Sequence, residues 1–371
     1  MLFVLSGGGT AGHINPALAV AGRLKELMPD SDFLFIGVND KMEMELVPRA
    51  GYAIRGLDMT YIVRGHDLHA IAKNLETIRN VARSTREAKK IIRDFGPDAV
   101  IGTGGYICYP VLTAAHKLGI PTLVHESNAV PGLTTKLLAD KVDRVMLGFE
   151  ESRQYYRRPE RVVVTGTPVR GEFDRVTRQS ARESLGLGPE DRLVLSVWGS
   201  LGAEHMNAVM AELMERLDGA QGFRLMHAAG KLYYPRLTER FAGKDLKRAG
   251  AELREYIYNM PELMAAADLI LCRAGASTIS ELTYLGKPAL MVPSPNVTNN
   301  HQEKNARVLE RAGGAKVLLE GEFDADSLLR TVKELLGDSG QLAEMGAAMR
   351  SLAVPDACEQ IVRLVLDTCA K

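Results

Sequence analysis

Cysteine is scarce in this sequence: its four cysteines, Cys108, Cys272, Cys358 and Cys369, lie far apart and form no CxxC pair. That spacing excludes a disulfide framework and points to a cytosolic setting with buried or neutral thiols. No HExxH helix, clustered His/Cys set or GxSxG elbow is present, so zinc hydrolysis and a serine triad are not expected. Long apolar runs are missing too, and Met1 opens directly into LFVLS without a basic leader. A chain of this kind is expected to be soluble, or at most peripheral on a membrane. Net charge is also absent, with 46 basic against 46 acidic residues, which removes any global argument for nucleic acid or a strongly acidic partner.

What the sequence does have is a repeated plan. Its 371 residues exceed the roughly 250–300 at which single cores stop growing, so two domains are expected. Apolar strand-like runs alternate with helical periodicity throughout, the pattern of parallel sheets with crossover helices. LVLSVWGSLGAEHMNAVMAELMERL (193–217) repeats the opening LFVLSGGGTAGHINPALAVAG: strand, glycine turn, amphipathic helix. Segments 98–127 and 267–294 share a second layout of strand, glycine turn, helix, LGxP and strand. The expectation is an α/β chain of two alike halves, 1–165 and 166–354, with ligands at the carboxyl ends of the strands. A terminal helix in 355–371 is expected to pack back on the first half.

Gly7, Gly9 and Gly12 satisfy GxGxxG, yet a dinucleotide site also needs an acidic residue about 20 positions on. Asp40 is the only candidate and lies too far along. The turn can still carry phosphate, with Thr10, Ala11 and Gly12 at a helix start. His13 there is either a general base or a packed, capping histidine. GTGGY (102–106) and WGSLGA (198–203) offer further amides and, in Ser200, a hydroxyl. RAGASTISE (273–281) is the richest stretch: amides of Ala276, Ser277, Thr278, Ile279 and Ser280 suit a diphosphate, and Glu281 a ribose. Its competing reading is an ordinary N-cap box of Ser277 or Thr278 with Glu281. Arg170 follows a TGTP turn, and HESN (125–128) ends a strand. The DSD (30–32) and DAD (324–326) pairs read as turn and cap residues, so no metal site is expected. From 71 to 93, Ile71, Leu75, Ile78 and Ala82 lie beside a stripe of Arg79, Arg83, Arg86, Lys90 and Arg93. That stripe reads either as a solvated face or as a contact for anionic lipid.

Taken in order, GGGTAGHINPALAVA, GTGGYICYPVLTAAHKLGIPTLVHESNAVPGLTTKLLA, GTPVR, WGSLGAEHMN, CRAGASTISELTYLGKPALMVP and NNHQEKNARVL resemble the MurG-type UDP-N-acetylglucosamine:lipid I N-acetylglucosaminyltransferase family. The resemblance spans almost the whole chain. It implies a GT-B fold, two Rossmann-like domains facing across a cleft, the first for the acceptor and the second for the donor. It implies inverting, metal- and cofactor-independent transfer of N-acetylglucosamine to the 4-hydroxyl of the muramyl sugar of lipid I. It assigns His13 as leading base, with Glu126, beside His125, in reserve; Ile257 to uracil; Glu281 to ribose; and Ser200 with the 276–280 amides to diphosphate. Arg170 and Thr10–Gly12 complete the donor side, and Asn128 and Gln302 meet the sugar. The implied partners are UDP-N-acetylglucosamine, lipid I, the cytoplasmic face of the bacterial membrane (peripherally) and other wall-synthesis proteins, with no nucleic acid. Trp198 departs from the usual GGS and is expected to narrow the third glycine loop; Ser127 and Leu201 replace frequent glutamines. A UDP-N-acetylglucosamine 2-epimerase or a glycolipid glycosyltransferase is the alternative on the same fold.

Overall fold

Strand β1 (Leu2–Ser6) buries residues on both faces, as a central strand of a covered parallel sheet must. Phe3 and Leu5 join one core with Ile14, Ala17 and Val20 of helix Ala11–Leu27, while Val4 joins the opposite core with Val111, Leu112 and Ile92. The structure, a computed structural model, describes residues 1–59, 68–199, 202–297, 300–354 and 356–370, and in helix Leu68–Phe95 the side chains from Arg79 onward.

The first unit comprises Met1–Arg170 with Val354–Lys371. After β1 come β2 (Asp32–Val38), β3 (Ala53–Leu57), β4 (Ala99–Gly102), β5 (Thr122–Glu126), β6 (Arg144–Leu147) and β7 (Val162–Val164). They form one sheet in the order β3-β2-β1-β4-β5-β6-β7, with every pairing parallel. The unit runs on to Arg170, past Thr165, because the Gly166 carbonyl accepts from His125 Nε2 at 2.9 Å. Helix Ala357–Cys369 sends Ile361, Val362 and Val365 into the Phe3–Leu5 core, and Glu359 pairs with Arg23.

The second unit, Gly171–Ala353, repeats the plan. Strands β8 (Leu193–Val197), β9 (Arg224–Ala228), β10 (Ala251–Arg254), β11 (Leu269–Cys272), β12 (Ala289–Met291) and β13 (Ala315–Val317) run in the order β10-β9-β8-β11-β12-β13. The basic segment before β8 is anchored by one carboxylate. Asp268, 6% exposed, accepts from Leu193 N at 2.8 Å, Arg178 at 2.7 Å and Arg192 at 3.2 Å. Burial pushes its pKa up, but these donors outweigh burial and hold the carboxyl below its ordinary range. Asp324 caps helix Ala325–Gly337 through Ser327, and Asp326 pairs with Arg216 at 2.6 Å.

Candidate functional site

In both sheets the first strand of the unit is flanked on one side by the second and on the other by the fourth. Open parallel sheets bind ligands at the carboxyl ends of the strands where that order reverses. In the first unit this point lies between β1 and β4, which lead into the loops GGGTAGH and GTGGY. In the second it lies between β8 and β11, which lead into WGSLGA and RAGASTISE. The glycine loops picked out in the sequence therefore sit at the two switch points.

In the first unit the loops lock His13 in place. Thr103, buried at the end of β4, donates to the His13 carbonyl at 2.7 Å. The His13 ring lies against Gly104, whose φ of 117° and lack of a side chain leave room for it; a methyl there would overlap the imidazole. His13 Nδ1 lies 3.0 Å from the Gly8 carbonyl, with Thr10 Oγ1 at 3.4 Å. A carbonyl only accepts, so Nδ1 carries the proton and Nε2 of the neutral ring keeps its lone pair. This is the tautomer a general base needs, set by a backbone oxygen. Ala11 and Gly12 are half-buried in the first turn of the helix.

Glu126 and His125 are built differently. Glu126, 4% exposed, accepts from Asn128 N at 3.1 Å and Asn128 Nδ2 at 2.9 Å on one oxygen, and from Gly132 N at 2.9 Å on the other. This carboxylate holds three donors, shapes the loop after β5 and orients Asn128. His125 donates from Nε2 to Gly166 O and accepts at Nδ1 from Ser127 Oγ at 3.1 Å, and burial lowers its pKa. Both its nitrogens are occupied. Burial pushes the Cys108 and Cys272 thiols up to about 11 and about 12, which favours their neutral form.

In the second unit, helix Ala276–Leu285 begins at Gly275, and no side chain caps it. The N-cap box is thus not what Ser277, Thr278 and Glu281 form. The amides of Ala276, Ser277 and Thr278 lie at the positive end of the helix, whereas Ile279 N already donates to Gly275 O at 3.0 Å and its side chain is buried. Ile279 N and its side chain thus serve the helix and the core. The Ser280 hydroxyl donates back to Ala276 O at 3.0 Å. Glu281 is half-buried in the second turn. Gln302 Oε1 accepts from Ser294 N at 2.9 Å after β12, leaving the Nε2 end to reach a ligand. Ile257 follows β10 with its side chain buried, between the exposed rings of Tyr256 and Tyr258. Arg170 is half-buried at the end of the first unit. Ser200 and Leu201 lie outside the described residues.

Trp198 belongs to the core of its unit. It turns inward, 2% exposed, because its Nε1 donates to Ser196 Oγ at 2.8 Å. Ser196 then gives its own proton to His227 Nδ1 at 3.0 Å, His227 Nε2 donates to Asn207 Oδ1 at 3.0 Å, and Asn207 Nδ2 donates to Ala229 O at 2.9 Å. This fully satisfied chain ends beneath Gly202, which has φ 79° and no room for a methyl against the Ala229 carbonyl. Burial pulls the His227 pKa down to about 4. The unfolded chain takes up this proton near the ordinary pKa of about 6.5, so the stability is fully present above that pH and drains away as pH falls toward 4. The loss should reach about 3 kcal/mol. Urea midpoints from pH 7 to 4 should show this slope in the wild type and a flatter one in His227→Gln; equal slopes would contradict it.

Residues 3–147 match the glycosyltransferase family 28 N-terminal domain and residues 193–361 the family 28 C-terminal domain. The chain belongs to glycosyltransferase family 28. Among its relatives is the UDP-N-acetylglucosamine–N-acetylmuramyl-(pentapeptide) pyrophosphoryl-undecaprenol N-acetylglucosamine transferase of Acetivibrio thermocellus, 43% identical over 99% of this chain and 98% of that one. The enzyme of the same name from Caldanaerobacter subterraneus is 41% identical over 98% of this chain and 99% of that one. The crystal structure of Acinetobacter baumannii MurG superposes with a TM-score of 0.74 at 27% identity, covering 99% of each chain. The UDP-GlcNAc 2-epimerase of Neisseria meningitidis, at 14% identity and a TM-score of 0.68, shares the fold alone. The family 28 fold is GT-B, and each domain match contains both glycine loops of one switch point.

Proposed function

We propose that the protein transfers N-acetylglucosamine from UDP-N-acetylglucosamine to the 4-hydroxyl of the muramyl sugar of lipid I, with inversion and without a metal ion. The observation that carries this reading is the end-to-end likeness to the lipid-linked N-acetylglucosamine transferases. His13 Nε2 takes the proton of the acceptor hydroxyl as its oxygen attacks the anomeric carbon; the bond from that carbon to the diphosphate breaks, and UDP leaves. The helix start at Ala276–Thr278 offsets the charge growing on the diphosphate, while Arg170, Thr10, Ala11, Gly12 and Ser200 complete the donor contacts. Asn128 and Gln302 meet the sugar, Glu281 the ribose and Ile257 the uracil. UDP should raise the melting temperature in metal-free buffer, by about 2.7 kcal/mol of stabilisation at a hundredfold excess over Kd, and NAD should not. A shift with NAD but none with UDP would overturn the reading.

The enzyme is proposed to work peripherally at the cytoplasmic face of the membrane, where lipid I and other wall-synthesis proteins would meet it. No helix among the described residues is long and apolar enough to cross a membrane. Arg79, Arg83, Arg86, Lys90 and Arg93 all lie exposed on helix Leu68–Phe95, while Ser84, Ala88 and Ile92 are buried on its other side. Ala82 is also exposed; the side chains of Ile71, Leu75 and Ile78 lie outside the described residues. With about 1 kcal/mol per basic residue near an anionic surface, the combined replacement of Arg79, Arg83 and Arg86 by Glu should abolish sedimentation with anionic vesicles. Unchanged sedimentation would refute this face.

A further inference from the structure

The seat of His13 includes a group that the transfer mechanism has not used. Glu43 opens the short helix Glu43–Arg49 and is fully buried. Its Oε1 accepts from Val38 N at 3.0 Å, at the end of β2, and its Oε2 accepts from Gly9 N at 3.1 Å. Among the described residues no lysine or arginine forms a salt bridge with it. The slot that admits it depends on two missing side chains. A methyl on Gly8 would overlap the carboxylate, and one on Gly37 would stand 2.6 Å from Glu43 Cγ. A buried carboxylate held by amides alone is costly unless those bonds are well made.

The Gly9 N–H and the Gly8 C=O belong to one peptide unit. Its N–H is held by Glu43, and its C=O accepts from His13 Nδ1 at 3.0 Å. We propose that Glu43 is a positioning residue for His13, acting through the Gly8–Gly9 peptide to orient the imidazole and keep Nδ1 protonated. This rests on His13 being the base. The carboxylate draws on the peptide N–H, the amide shifts electron density onto its oxygen, and that oxygen holds the imidazole N–H more firmly, as linked hydrogen bonds in a low dielectric do. Nε2 then faces the acceptor with its lone pair.

The test combines kinetics with 15N NMR of the His13 ring. In Glu43→Gln, kcat should fall about 10- to 100-fold, the size typical for losing the partner that orients a functional histidine. The KM for UDP-N-acetylglucosamine should stay put, and the neutral ring should shift from the Nδ1–H form to a mixture of tautomers. In a His13→Ala background, Glu43→Gln should cost nothing further in kcat. An unchanged kcat, an equal loss in that background, or an unchanged tautomer would overturn the relay. If Glu43→Gln does not fold, the wild-type ring decides: Nδ1–H supports the relay and Nε2–H refutes it. Wild-type turnover in His13→Ala would sink the base assignment itself, whereas an inactive His13→Ala beside a fully active Glu43→Gln sinks the relay alone.

Discussion

His13→Ala is expected to lower kcat by about 10²- to 10⁴-fold, the range for a positioned general base, while UDP binding stays intact. The other titratable groups near the first switch point are already engaged. His125 has both ring nitrogens committed, to Gly166 O and Ser127 Oγ. Glu126 holds three donors on its two oxygens. Glu43 is sealed beneath the loop. Among these groups only His13 combines partial exposure with a nitrogen whose lone pair is left available by its partner's bond. The lost bond to Gly8 O should cost only about 1 kcal/mol of stability, so a folded, donor-binding, inactive variant is the expected result. Turnover near the wild-type level, with the melting temperature retained, would remove His13 from the chemistry.

The second large effect concerns the donor. Glu281→Ala should raise the KM for UDP-N-acetylglucosamine about 10- to 100-fold and leave kcat at saturation nearly unchanged. A hydrogen bond to a charged group contributes about 1.5–3 kcal/mol, and each 1.4 kcal/mol is tenfold in affinity. Glu281 follows the uncapped helix start by one turn, so a diphosphate at Ala276–Thr278 brings the attached ribose toward it. The stabilisation of the wild type by UDP should shrink in parallel. An unchanged KM together with an unchanged melting shift would mean that Glu281 serves the helix and not the nucleotide.

The strand and glycine-loop plan was legible because apolar runs such as LFVLS and LILC are buried on both faces and reach glycine within three residues, where the chain turns into a helix. That pattern located both switch points and, through them, His13 and the 276–278 amides. Other features depend on contacts that no local pattern carries. Glu43 sits in KMEMELVPR, and its burial follows from space left at Gly8 and Gly37, far apart in sequence. Trp198 looked like an obstruction because an indole at a loop suggests bulk. Ser196, two residues earlier on β8, offers the inward partner that turns it into the core. Glu126 ends β5 in HESN, but its second oxygen is held by Gly132 N, on the returning chain six residues later.

Sugar transfer itself can be read by incubating the purified protein with labelled UDP-N-acetylglucosamine and a soluble lipid I analogue in EDTA. The expected product is β-linked N-acetylglucosamine on the muramyl 4-hydroxyl, with one UDP released per sugar transferred. Consumption of the donor without acceptor, giving the 2-epimer, or no transfer until a divalent ion is restored, would contradict it.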